Sequence, residues 1–304
     1  MKDATAGDPI TGLKWTRKTS RKIAKELKRQ GFQVEHSTVP RLARQLRYTL
    51  RVNHKRLSRK KDSRRDQQIC YVESQRKRFA RKKQPAISVD GKKKEKIGQF
   101  RNPGRTLRRE PLDVLATDFL TDAIGKAALY GVYDIQRNEG YMAVGVSHET
   151  AEFAVATIQR WFLEVGDLYY KNCTHLLIQA DSGGANACDS WLWKVELQKL
   201  ADEFQLAITV THFPTGASKW NLIEHRMFSV ISQNWAGQPL VSYETGLKFI
   251  RTSKTETGFH CSTYFNRKHY KAKRKVTPEE KAKINLHPHK LFPELNYTIL
   301  PNLN

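Results

Sequence analysis

Residues 176–224 leave this chain few folds to choose from. Leu176-Leu177-Ile178 runs through Gln179-Ala180 into Asp181, and Ser182-Gly183-Gly184 follows at once, so a buried strand stops on a carboxylate beside a permissive turn. A helical pattern comes next, with Val195, Leu197, Leu200 and Phe204 on an apolar side and Lys194, Glu196, Lys199 and Glu203 largely off it. Leu206-Ala207-Ile208-Thr209-Val210-Thr211 is short, apolar and β-branched, which predicts a further strand. Pro214, Thr215 and Gly216 break it. Ser218 then stands where it can cap a helix whose buried stripe is Trp220, Ile223, Met227, Val230 and Ile231, with Glu224 at the edge of that stripe. This order allows a strand-tip aspartate and a rim glutamate to meet across a cleft.

Upstream, residues 128–135 and 141–146 read as two strands joined through Arg137-Asn138-Glu139-Gly140, a hairpin signal. Ser147-His148-Glu149-Thr150 leads into a helix that buries Phe153, Ala154, Ile158, Trp161 and Phe162. Pro85-Ala86-Ile87-Ser88-Val89-Asp90 opens the domain as another apolar run ending in a carboxylate, and residues 95–126 are turn-rich. The element order predicts an α/β domain over residues 85–304, a ribonuclease-H-like mixed sheet with flanking helices and a C-terminal extension. In that extension a helix starts near Tyr243 and buries Leu247 and Ile250. Six Lys/Arg crowd residues 266–275, a second basic patch, and the tail packs back through residues 295–300.

A formal charge of +24 on 304 residues points to a polyanionic partner. Residues 1–84 hold 26 Lys+Arg against 7 Asp+Glu, whereas the remaining 220 hold 28 against 23, so the field belongs to the first quarter of the chain. Residues 1–12 read as a disordered lead-in. Within residues 13–50, Ile23, Ala24 and Leu27 form the inner side of one short helix ending at Gly31, and Val39, Leu42, Ala43 and Leu46 that of a second. Two such helices fit a helix-turn-helix, a small all-helical domain whose second helix would carry Arg41, Arg44 and Arg47 to guanine edges or phosphates of double-stranded DNA. A helical hairpin with a solvated basic face fits the same pattern, and the charge surplus favours DNA. Residues 51–84 read as a basic linker with one helix at about residues 67–79, whose few apolar positions are Ile69, Cys70 and Val72.

Four scattered cysteines without a C-x-x-C argue against a zinc ribbon or a disulfide scaffold. The chain contains no apolar run of about 18 residues and no signal-peptide pattern at Met1, so no membrane partner is expected and the expected location is inside the cell, in the cytoplasm.

Phosphodiester chemistry with two divalent ions, Mg²⁺ or Mn²⁺, needs carboxylates converging from separate elements. Asp90, Asp181 and Glu224 meet that description, with intervals that accommodate the intervening hairpin, helices and strand. Asp134, inside an apolar strand, competes for the first position, and Asp118 does so more weakly; Asp90 is preferred because its strand starts the domain and can neighbour the Asp181 strand.

At these residues the chain resembles the Rhodopirellula-type DDE transposases of bacterial insertion sequences, distant relatives of mariner-like transposases. The resemblance rests on Ile87-Ser88-Val89-Asp90-Gly91-Lys92-Lys93-Lys94-Glu95, Tyr130-Gly131-Val132-Tyr133-Asp134, Ala180-Asp181-Ser182-Gly183-Gly184 and Ser218-Lys219-Trp220-Asn221-Leu222-Ile223-Glu224-His225-Arg226. It implies that Asp90, Asp181 and Glu224 are the catalytic, metal-binding triad and that Arg41, Arg44 and Arg47 hold the element's terminal repeats. Lys219 would touch DNA near the cut, and a homo-oligomer would assemble on element ends and target DNA. The implied reaction is metal-dependent cleavage at the ends followed by strand transfer. A nuclease of the same fold, or a transposase-derived DNA-binding protein without activity, are the alternatives. The chain departs from the family pattern in three places: Gly91 where threonine is expected, Thr215-Gly216-Ala217 for Pro-Gly-Thr, and Asp189 for a basic residue. Family members usually have a longer N-terminal region, so a truncated copy with an intact catalytic core and incomplete end recognition is a further expectation.

Overall fold

The computed structural model describes residues 5–7, 14–16, 19–49 and 64–302. The rest of the lead-in and the first part of the basic linker, with Arg59-Lys60-Lys61, lie outside them. The chain divides into two compact units, residues 1–58 and 59–304.

In the smaller unit, strands β1 (Thr5–Gly7) and β2 (Lys14–Thr16) pair antiparallel. The lead-in read as disordered therefore contains a strand, too short for periodicity to reveal. Helix α1 (Ser20–Arg29) starts where Thr19 Oγ1 accepts from the Lys22 amide at 3.3 Å and stops before Gly31, at φ +89°. Helix α2 (Val39–Gln45) begins with Pro40 in its first turn. Of the inner positions expected for these helices only Ala24 and Val39 are buried, and Leu46 is 68% exposed. The reason is length: α2 ends at Gln45, and Arg47 lies beyond it in a left-handed turn at φ +61°. Arg41 and Arg44 are on the helix and Arg47 is not, although all three side chains are exposed.

The larger unit opens with α3 (Arg65–Arg81), the helix assigned above to a linker. It is instead packed on the sheet. Val72 joins Phe213 and Ala217, and Phe79 joins Ala86 and Leu177, while Cys70, read as one of its apolar positions, is exposed. Gln68 and Gln75 share its buried face, which is why an apolar count under-read this helix.

Strands β3 (Ala86–Ile97), β4 (Gly125–Asp134) and β5 (Glu139–Gly145) form an antiparallel meander. Helix α4 (Ala151–Trp161) passes through a π turn into the short α5 (Asp167–Tyr169), and β6 (His175–Ala180), α6 (Trp191–Phe204) and β7 (Ala207–His212) follow. A 3₁₀ turn at Ser218–Trp220 and a π turn at Glu224–Phe228 lead into α7 (Ser229–Asn234). Helix α8 (Tyr243–Arg251), β8 (His260–Asn266), α9 (Pro278–Ala282), β9 (Leu286–Pro288) and β10 (Asn296–Ile299) complete the unit.

Among the described residues the sheet has eight strands in the order β8-β5-β4-β3-β6-β7-β10-β9, with β3, β6 and β7 mutually parallel. This is the mixed sheet of a ribonuclease-H-like fold, extended at both edges. Both faces are apolar because alternate residues point opposite ways. Tyr130 and Val132 of β4 pack with Phe153 and Ile158 of α4 and Leu197 of α6, whereas Leu129 and Tyr133 pack with Ile223, Met227 and Ile231 on the other side. The tail does pack back, as β10 on β7. The pairing of β8 with β5 had no counterpart in the sequence pattern, since His260-Cys261-Ser262-Thr263 is an edge strand whose polar positions hide its period.

Candidate functional site

Register brings the two aspartates together. β3 and β6 are parallel with Val89 opposite Ala180, so Asp90 and Asp181 are the next residues on neighbouring chains. Asp181 leaves the end of its strand as expected. Asp90 differs from the strand-tip reading: it lies one residue past the ladder with β6 but inside the ladder with β4, which continues to Ile97 opposite Gly125. The Lys92-Lys93-Lys94 run looks like a turn by composition. A bulge between Lys92 and Glu95 absorbs it, with Lys92 Nζ held 2.8 Å from Glu95 Oε1 and 4.6 Å from the Trp235 ring centroid.

Glu224 is delivered from the opposite direction. Gly131 is the residue of β4 facing Asp90, and a Cβ there would lie 2.7 Å from Phe228 Cε1 and 2.9 Å from Ile223 Cδ1. A side chain at 131 would thus push away the π turn that begins with Glu224, a local helix distortion of the kind that often accompanies functional sites. The segment is also tied by hydrogen bonds. Buried Asn221 donates from Nδ2 to Asp90 Oδ2 at 2.9 Å and accepts from Ser88 Oγ at 2.7 Å, and Ser88 Oγ accepts from the Ile223 amide at 3.4 Å. Asn221 therefore joins the first acid to the chain carrying the third.

Asp181 has its own supports. Asn186 Nδ2 donates to its Oδ1 at 2.6 Å and receives the Tyr130 hydroxyl on Oδ1 at 3.2 Å. Behind it, His212 Nδ1 lies 2.7 Å from the Asp181 carbonyl oxygen, and His212 Nε2 lies 3.1 Å from the Tyr297 hydroxyl, which accepts from Trp193 Nε1 at 3.0 Å. A carbonyl only accepts and an indole only donates, so the neutral ring carries its proton on Nδ1 and takes the Tyr297 proton on Nε2. Burial keeps the ring neutral by lowering its pKa to about 4.

Burial first, then the charges of Asp181 and Glu224, raise the Asp90 carboxyl to about 8; the Gly91 amide opposes this only in part. Asp181 is raised by burial, against hydrogen bonds from Gly183 and Asn186. Asp134, the rival first aspartate, sits opposite Ile87 toward the other end of β3. There its oxygens accept the Tyr170 hydroxyl and the Gln136 and Arg137 amides, a turn-closing role. Asp118 is exposed and paired with Lys96 at 3.2 Å. Lys219 is exposed, its Nζ 3.9 Å from the centroid of the Trp220 ring; Trp220 itself packs with Val72, Phe213 and Ala217 rather than with the stripe of Ile223 and Met227.

The donor set is entirely carboxylate oxygen, the chemistry preferred by Mg²⁺ and Mn²⁺, and mutual repulsion of the acids is what a cation would relieve. Among the described residues no three acidic, histidine or cysteine side chains are arranged to grip an ion as they stand. One oxygen each of Asp90 and Asp181 accepts from an asparagine amide. Sequence patterns missed Asn221, Asn186, Ser88, Gly131 and His212. Asn221, Ser88 and Gly131 were at least within the motifs quoted above, whereas His212 carried no signal beyond following a strand.

Among solved structures the chain is similar to the Mos1 strand transfer complex (14% identity, 76% of this chain and 64% of that chain, TM-score 0.43). It is also similar to a pre-cleavage Mos1 transpososome (14%, 76% and 65%, 0.47) and to the Mos1 mariner paired end complex with Mn (14%, 76% and 65%, 0.46). The chain thus spans less than two-thirds of the length of these relatives. Comparison with curated proteins yields no match. The model of the Rhodopirellula transposase DDE domain matches residues 1–301, from the basic N-terminal helices through all three acids to the last strand, and the chain belongs to that family.

Proposed function

We propose that this protein is a DNA transposase of an insertion sequence, cleaving DNA at the element ends and joining the freed 3′ hydroxyl to target DNA. Asp90, Asp181 and Glu224 are its catalytic residues. The observation that carries the reading is the convergence of these three acids, from three separate elements, where the ladder between the central strands β3 and β6 ends, with Asp90 raised to about 8 by burial and by the other two. A hydrophobic core has no use for such an arrangement, and an uncompensated set of carboxylates costs stability.

Two divalent ions, when bound, would supply the positive charge that activates the attacking hydroxyl and stabilises the leaving oxygen. Asp90 and Asp181 would hold them together with Glu224. The chain's own part is orientation. Asn221 fixes Asp90 and Asn186 fixes the carboxylate of Asp181, while His212 restrains the backbone of Asp181 from behind. DNA is the partner. Exposed Arg41, Arg44 and Arg47 of the smaller unit would engage the terminal repeats, with Lys219 near the cut and the exposed cations of residues 267–275 on flanking phosphate. A homo-oligomer on paired ends follows from the need to join two ends to one target. No helix among the described residues is long and apolar enough to cross a membrane, and we place the protein at the nucleoid.

The test is an assay on DNA carrying the element ends with Mg²⁺ present. Asp181→Asn should lower cleavage by roughly 100- to 1,000-fold, and the unaltered protein should join pre-cut ends to a target. Cleavage without joining would identify a nuclease. Cleavage unchanged in Asp181→Asn would refute the site.

A further inference from the structure

Gly91 follows Asp90 on β3, opposite Tyr130 of β4. The space beside it is already taken. A Cβ built at position 91 lies 1.8 Å from Glu149 Oε1, 2.7 Å from its Cδ and 3.2 Å from its Oε2, where real Cβ atoms keep beyond 3.0 Å. The Glu149 carboxylate therefore rests on the backbone of β3 one residue past Asp90. It arrives there from a separate element, the residue before Thr150, which caps α4 by accepting the Phe153 amide at 3.3 Å. Because α4 is anchored by Phe153, Ile158 and Trp161 in the core, the approach of Glu149 is set by a rigid helix.

No hydrogen bond or ion pair among the described residues holds Glu149 there. It is partly buried, and its carboxyl is raised by burial, which outweighs the opposing charge of Lys94, and further by Asp181. A partly buried carboxylate without a donor is costly, and a short move of Glu149 into solvent would relieve the cost. The glycine at 91, where the family pattern leads one to expect threonine, is what permits the contact.

We propose that Glu149 is a fourth carboxylate of this site, acting with Asp90, Asp181 and Glu224 to hold divalent cation, and that Gly91 is the residue that admits it. The inference rests on the reading of the three acids as a cation site and adds a member to it. Positions 91 and 149 then form a steric pair. Any side chain at 91 evicts the carboxylate, and shortening Glu149 to aspartate withdraws it by about one C–C bond, roughly 1.5 Å, making room for a Cβ.

The test is Mn²⁺ titration of the 304-residue chain without DNA, followed by electron paramagnetic resonance. Glu149→Gln, nearly isosteric, should weaken Mn²⁺ binding by roughly 10- to 100-fold. Gly91→Ala should weaken it comparably with every charge intact, and Gly91→Ala combined with Glu149→Asp should recover binding to within about threefold of the unaltered protein. If Asp181→Asn loses Mn²⁺ while Glu149→Gln binds as tightly as the unaltered protein, this proposal is overturned and the three-acid reading stands. If Asp181→Asn also binds normally, the three-acid reading falls with it. A double variant no better than Gly91→Ala would remove the steric pairing.

Discussion

The two units use the same local grammar and reach opposite ends. Helix α1 is capped by Thr19 and α4 by Thr150 in the same geometry, each threonine oxygen accepting the amide three residues on at 3.3 Å. Yet among the described residues α1 and α2 bury only Ala24 and Val39, whereas α4 alone buries seven residues against the sheet. In the smaller unit the outward cations dominate, and little packing constrains them. In the larger unit burial is deep enough to hold acids close together against their repulsion. On the proposed function, charge on the one would supply the affinity and packing on the other the chemistry.

The sharpest break of that comparison is Asp181→Asn. It should lower strand cleavage by roughly 100- to 1,000-fold, the scale on which one electrostatic group at a reacting centre is felt, while DNA affinity, residing in the cations, stays within about threefold. Loss of both together in gel-shift and cleavage assays would deny the division of labour.

The next effect is on stability and carries a sign. Because the folded structure raises Asp90 to about 8, above its value in the unfolded chain, its penalty is absent below the unfolded value. The penalty grows as pH rises and is complete above about 8. Asp90→Asn should thus stabilise the metal-free protein at pH 8.5 by on the order of a few kcal/mol and change it little near pH 4. Added Mg²⁺ should raise the melting temperature of the unaltered protein at pH 8.5 more than that of the variant. Equal melting of the two metal-free proteins at pH 8.5 would show that packing does not force the acids together.

Gly131→Ala tests the packing directly. Its Cβ would meet Phe228 and Ile223 below 3.0 Å, so denaturant unfolding should show a loss of about 1–3 kcal/mol. Arg44→Ala should leave that unfolding unchanged and reduce the slope of log affinity against log salt by about 1, equally across DNA sequences if it contacts phosphate. Smallest of all, Leu46→Gln should alter stability by no more than about 0.5 kcal/mol, because Leu46 is 68% exposed; a loss of 2 kcal/mol or more would mean a larger core in the smaller unit.

Much of this was legible without coordinates because periodicity records burial. Helices α1, α4 and α6, the β4–β5 hairpin and the strands on either side of α6 all follow from the spacing of apolar residues. What periodicity cannot record is polar burial. Gln68 and Gln75 disguised α3 as a linker, and the Lys92-Lys93-Lys94 run hid the continuation of β3 past Asp90. Asn221, Asn186 and His212 are buried for their hydrogen bonds rather than their hydrophobicity. No one-dimensional pattern distinguishes them from loop residues.

The sequence by itself determined which acids lie at the edges of apolar elements, which quarter of the chain carries the charge, and that a mixed sheet with helices on its faces would result. All of these depend on composition and on neighbours along the chain. Only the tertiary structure decided that Asp90 rather than Asp134 stands beside Asp181, because that choice depends on the parallel register of β3 on β6, a pairing across 91 residues of chain. Only it decided that Gly131 lets Glu224 approach and that Gly91 makes room for Glu149, since a close approach is a fact about two distant segments and is written in neither.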